Sequence, residues 1–132
     1  MVCTAACVGV GFGSAAAEPG PDGHMYGAYA VSNPAPGQSW LIGSSWNYPD
    51  QAGADERALA ECQDSTCAIV LRFMDGCGAI AFRGDRYAGG IGASRDEASR
   101  SALDAVGPPW PSSISADATD PAEVFGPECN GQ

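Results

Sequence analysis

Lysine is absent from this chain of 132 residues, and histidine occurs once, as His24. All positive charge rests on Arg57, Arg72, Arg83, Arg86, Arg95 and Arg100. Against 16 Asp and Glu they leave a formal net charge of −10. A surface this acidic repels phosphate backbones and anionic headgroups, so nucleic acid and anionic membranes are not the expected partners. The same charge keeps a small exported protein soluble. With a single histidine near the start, a nucleophilic triad lacks its usual base. No oxygen-rich Asp-x-Asp-x-Asp loop offers a calcium site, and Gly43-Ser44-Ser45 lacks the spacing of a nucleophile elbow. Gly89-Gly90-Ile91-Gly92 precedes a helix but has neither a dinucleotide fingerprint nor a P-loop lysine, and Asp96 and Glu97 would repel an anion there. It reads as close strand packing. Long apolar runs are missing as well. Val2 to Gly13 is too short and too rich in glycine to span a bilayer.

Residues 1–17 nonetheless carry a pattern, an uncharged apolar run closed by Ala15-Ala16-Ala17 ahead of Glu18 and Pro19. That is the form of a cleaved secretory signal, although no basic residue precedes the run. Cys3 and Cys7 would leave with it. Cys62, Cys67, Cys77 and Cys129 remain, an even number in an exported chain, which predicts two disulfides with three possible connectivities. Their spacing forms no paired C-x2-C knuckle, so no metal is expected, and nothing calls for a cofactor.

Hydrophobic residues make up 45% of the chain, much of it alanine, and there are 18 glycines. The core should therefore be thin and tightly spaced. Strands are expected at Tyr26–Ser32 and Ser39–Trp46, with N33-P-A-P-G37 turning between them. Asp50 caps a helix over 51–62, where Ala54, Ala58, Leu59 and Cys62 recur at helical spacing. Cys67–Phe73 is apolar on both faces and is expected at the centre of the sheet. Strands at Gly78–Phe82 and Arg86–Gly92 follow. Ser94 and Glu97 form a capping box ahead of a helix over 95–106. Gly107-Pro-Pro-Trp-Pro111 ends regular structure.

The chain says nearly the same thing twice: YGAYAV at 26–31 and CGAIAF at 77–82. Continuing the alignment, with a seven-residue deletion in the second turn, puts Asp50 on Ser94, Ala54 on Ala98, Ala58 on Ala102 and Leu59 on Leu103. The repeat is thus a β-β-α unit, and one unit alone cannot bury both its sheet face and its helix stripe. The expected fold is α+β, with duplicated β-β-α units forming one mainly antiparallel sheet, two helices on one face, and disulfide staples. The expected organisation is a cleaved signal at 1–17, a flexible leader at 18–25, the duplicated domain at 26–106, and a Pro/Asp-rich tail at 107–132 tethered by Cys129.

These motifs resemble a small exported bacterial family, domain of unknown function 4189. The resemblance rests on Tyr26-Gly27-Ala28-Tyr29-Ala30, Ala54…Ala58-Leu59…Cys62, Cys67…Val70…Phe73, Gly76-Cys77-Gly78-Ala79-Ile80-Ala81, Tyr87–Gly92 and Ala98…Ala102-Leu103. The family's second helix commonly ends in Cys, where this chain has Val106. Its second Gly-rich strand commonly carries Trp, where this chain has Tyr87. The resemblance implies that Cys129 replaces the missing helical cysteine, giving Cys62–Cys67 and Cys77–Cys129. It implies no reaction.

Binding character is concentrated in aromatics of the first repeat. Tyr29, Trp40, Trp46 and Tyr48 are the candidate binding residues, with Trp40 and Trp46 on one parity of the strand 39–46. If that parity faces away from the helices it offers a surface; otherwise it is core. Arg72, Arg83 and Arg86 are placed to rim it. The expected function is an exported, non-catalytic binding module at the cell envelope or outside the cell, of inhibitor or immunity type among the options, taking a protein or glycan partner. One alternative is a small hydrolase using two of Asp50, Asp55, Glu56, Asp96 and Glu97, although carboxylates at helix starts also suit the macrodipole. The other is a structural envelope protein without a ligand.

Overall fold

Asp50 and Ser94 lie in extended backbone just ahead of two helices and cap them. The Asp50 carboxylate accepts from the Gly53 N–H at 2.7 Å, and the Ser94 hydroxyl accepts from the Glu97 N–H at 3.2 Å. Each satisfies a first-turn N–H that the helix leaves without a partner. The Glu97 carboxylate reaches back to the Ala93 N–H at 2.9 Å, one residue ahead of the cap. The helices are α1 (Gln51–Cys62) and α2 (Arg95–Val106), with the bounds that the periodicity predicts. Both stop in positive-φ backbone, at Gln63 (φ 61°) and Gly107 (φ 81°), and each of those N–H groups bonds a leucine carbonyl of the last turn.

The computed structural model describes residues 21–108 and 122–131. The signal read over 1–17, the first leader residues to 20, and tail residues 109–121 lie outside them. The strands are β1 (Tyr26–Val31), β2 (Ile42–Tyr48), β3 (Ala68–Met74), β4 (Cys77–Arg83), β5 (Arg86–Gly92) and β6 (Glu123–Cys129). They form two compact units, one running to Asp75 and taking up Asn130 and Gly131, the other spanning Gly76–Cys129. Each unit has its own three-stranded antiparallel sheet, in the order β2-β1-β3 in the first and β5-β4-β6 in the second.

This corrects the single shared sheet. The α+β duplication holds, but its unit is β-β-α-β. β3 completes the first sheet as an edge strand beside β1, rather than lying centrally between two repeats. An apolar run on both faces does not report neighbours on both edges, and as an edge strand β3 buries only Phe73 fully, with Met74 exposed. β6 completes the second sheet. Its sequence, EVFGPEC, carries Gly126 and Pro127, which hide a strand from sequence patterns but are tolerated at a sheet edge. β2 also begins later than expected, at Ile42, so Trp40 precedes the strand and Tyr48 belongs to it.

In each unit the helix lies close on its own sheet over alanine and glycine. α1 buries Ala54, Ala58 and Cys62 against Ala28 and Ala30; α2 buries Ala98, Ala102 and Val106 against Ala79 and Ala81. These are the same three helical positions of the aligned repeat. A Cβ at Gly43 would lie 2.5 Å from the Cys62 nitrogen, and one at Gly90 would lie 2.6 Å from the Ser101 carbonyl carbon. The strand positions facing each helix therefore have to be tiny. Ser45 adds a buried link, donating its hydroxyl to the Ala54 carbonyl at 2.7 Å.

The disulfides are Cys62–Cys67 and Cys77–Cys129, the pairing that the resemblance implies. The first joins the end of α1 to the start of β3. The second joins facing residues of β4 and β6. In the first unit Tyr26 faces Met74 at the corresponding ladder position.

Candidate functional site

The alternation of β2 settles which way its side chains point. Gly43 and Ser45 meet α1, so Ile42, Ser44 and Trp46 lie on the opposite, outer face. Trp46 is half-buried there, and Trp40 is half-buried in the loop before the strand. Tyr29 shares the outer face but is fully buried, its ring 5.9 Å from that of Phe73. It belongs to the packing of the sheet. Tyr48 does not keep the parity of Trp46. β2 spends one extra residue around Asn47 (φ 66°), and Tyr48 turns to pack against the core cluster that α1 forms with β1. The bulge is clamped from the chain end. Asn130 accepts from the Asn47 N–H at 2.6 Å, and Asn47 accepts from the Gly131 N–H at 2.6 Å. The four candidate aromatics thus divide among a buried core position (Tyr29), a half-buried outer position (Trp46), a half-buried loop position (Trp40) and a helix-side contact (Tyr48).

The outer face of the second sheet is more open, and the sequence reading did not single it out. Strand register arranges it in three rows across β5, β4 and β6: Ile91-Gly78-Glu128, Gly89-Ile80-Phe125 and Tyr87-Phe82-Glu123. Ile80 at its centre is fully buried, but Tyr87 is 37%, Phe125 41% and Ile91 54% exposed. The Tyr87 and Phe82 rings meet edge to face, 5.8 Å apart. The signal was present in RYAGGIG. Gly90 and Gly92 must face a helix that leaves no room for a Cβ, which points Tyr87 and Ile91 outward.

The arginines proposed as a rim serve other ends. Arg72 forms a two-pronged pair with Asp55, its Nη2 at 2.8 Å, on the α1 side of the sheet. Arg83 donates to the Gly107 carbonyl, and Arg86 donates to the carbonyls of Val106 and Pro108, so both close the end of α2. Three of the candidate catalytic carboxylates are likewise engaged. Asp50 and Glu97 cap, and Asp55 holds Arg72 and Gln51. Asp50 and Asp55 belong to the first unit, Asp96 and Glu97 to the second.

One polar cluster went unread. His24 Nδ1 lies 2.5 Å from Asp75 Oδ2, while Asp75 Oδ1 accepts from the Met25 N–H at 3.0 Å. The Met25 N–H and the imidazole hold the Asp75 carboxyl below the usual carboxylate range. The Tyr26 hydroxyl donates to Asp22 at 2.5 Å, which lowers the Asp22 carboxyl and pushes the phenol up. His24 and Asp75 are 51 residues apart, and nothing local in sequence marks the pair. Among the described residues no three of His, Cys, Asp and Glu come together as a metal-holding group.

Relatives share this framework. Rv1813c of Mycobacterium tuberculosis, an uncharacterized protein, is 39% identical over 78 residues, which is 59% of this chain and 50% of that protein. Rv1269c of the same organism is 37% identical over 83 residues, 63% of this chain and 62% of the relative. The chain therefore spans about half to two thirds of the length of these relatives. The NMR structure of Rv1813c superposes with a TM-score of 0.56 at 26% identity, covering 98% of this chain and 96% of that one. Residues 26–108, from β1 through α2, match the family described as Domain of unknown function (DUF4189), and the chain belongs to that family.

Proposed function

We propose that this protein acts outside the cytoplasm as a non-catalytic binding module that presents the outer face of its second sheet to a partner. The observation that carries this reading is the set of Tyr87, Ile91 and Phe125, large apolar side chains kept exposed on β5 and β6 of a sheet whose β4 and β6 are stapled by Cys77–Cys129. Holding such groups on rigid strands lowers the ordering cost of binding. Two disulfides favour an oxidising compartment, and no described helix is long and apolar enough to cross a membrane. An inhibitor or immunity-type role is one form of this reading.

The test has two parts. In intact producing cells and their medium, the four cysteines should resist maleimide until a reductant is added; ready labelling without reductant overturns the extracytoplasmic placement. The oxidised protein and a Tyr87→Ser, Ile91→Ser, Phe125→Ser variant are then used as bait against envelope and medium fractions. Partners retained by the first and lost by the second support the reading. Identical retention by both places the function elsewhere.

A further inference from the structure

The rows of this face hold two carboxylates and no arginine, and this narrows the chemistry of what it takes. Two of its three rows end in a carboxylate on β6, Glu123 beside Phe82 and Glu128 beside Gly78. Glu123 is exposed; Glu128 is half-buried, its carboxyl pushed up by burial and opposed by Arg95. No arginine falls in these rows. Arg83 and Arg86 face each other at the end of the β4–β5 ladder and turn to the carbonyls at the end of α2. Arg95 donates to the Pro127 carbonyl at 2.7 Å. The turn between β4 and β5 adds Asp85, which is exposed.

We propose that the Tyr87-Phe82-Glu123 row, with Phe125 in the row beside it, docks a Lys or Arg side chain carried on an apolar stretch of a partner polypeptide. The proposal rests on the binding-module reading and names the partner's chemistry. A cation gains here in three ways: the aromatic rings attract it through their quadrupoles, Glu123 pairs with it, and the net charge of −10 draws it in from a distance. An anionic partner would meet Glu123 with like charge. A neutral apolar partner would cover Glu123 and leave a carboxylate desolvated without compensation. Because Ile80 is buried at the centre, the contact falls on the row at the end of the sheet rather than across its middle.

The test uses the full oxidised chain, labelled for NMR, and three synthetic peptides that share one apolar frame and differ in carrying Lys, Ser or Glu. The Lys peptide should bind, shift amides of residues 82–87 and 123–125, and weaken about tenfold on raising salt from low levels to about 0.3 M. Glu123→Gln and Tyr87→Ser should each weaken it about tenfold, with unchanged amide dispersion elsewhere as the folding control. Glu123→Gln alters only an exposed side chain, so one variant stays interpretable if the other unfolds. Lys-peptide binding untouched by both variants overturns the proposal in favour of diffuse charge attraction. Equal binding of the Ser and Lys peptides at this row overturns the cation while leaving the binding module standing. Failure of all three to bind also overturns it; the broader reading falls only if the bait comparison above fails too.

Discussion

Asp75 is the residue on which the start of β1 and the end of β3 meet. Its N–H donates to the Met25 carbonyl at 2.8 Å, its carboxylate takes the Met25 N–H and the His24 ring, and its own backbone has φ 64°. Its carboxyl is held low in the folded protein, as is that of Asp22. The sign follows from linkage. A depressed folded value contributes stability that is full above the unfolded carboxylate range, near pH 4, and is lost as pH falls through the lower folded values. Acid unfolding followed by circular dichroism should therefore be less steep below about pH 4 in Asp75→Asn than in the native chain. Equal steepness would mean that the pair carries no linkage. Glu128, pushed up by burial, acts in the opposite sense, and Glu128→Gln should stabilise modestly at neutral pH. Gly90 is a second residue-scale test. A methyl there meets the α2 backbone, not a pliable side chain, so Gly90→Ala should cost ~1–3 kcal/mol by urea unfolding.

Each helix depends on its cap and on the alanine stripe that lets it approach the sheet. Asp50→Ala and Ser94→Ala should each cost ~1 kcal/mol, read as a shift in the urea midpoint at constant slope. These elements were the most legible part of the sequence. Capping residues and helical periodicity are local signals, and both helices have the expected bounds. Strand identity was legible where alternation was unbroken, as in β5. It failed where local chemistry contradicts the tertiary outcome, as at Gly126 and Pro127 in β6, or where a bulge resets parity, as at Asn47. For the same reason the aromatic candidates of the first repeat scattered. Parity placed Trp46 correctly relative to Ile42, but the bulge carried Tyr48 to the helix side.

Over the whole molecule, the two staples close loops of very different size. Cys62–Cys67 spans a sequence separation of 5 and Cys77–Cys129 one of 52. On the chain-entropy account the longer loop restricts the unfolded state more, by ~4 kcal/mol against ~2 kcal/mol for the shorter. Replacing Cys77 and Cys129 by Ala should accordingly destabilise about twice as much as replacing Cys62 and Cys67, by urea unfolding under oxidising conditions. The reverse order would show that strain or residual structure outweighs loop entropy.

The residues by themselves determined the duplication, the caps, the thin alanine core and the acidic balance, because each is written in neighbours along the chain or in simple counts. Only the tertiary structure decided that there are two sheets rather than one, that β3 is an edge and β6 its counterpart, and that His24 reaches Asp75. Those outcomes depend on which strand edges pair over tens of residues. An apolar pattern specifies faces, and it is silent about edges. The exposed row of Tyr87, Phe82 and Glu123 arises in the same way, from three strands whose register brings residues 82, 87 and 123 side by side.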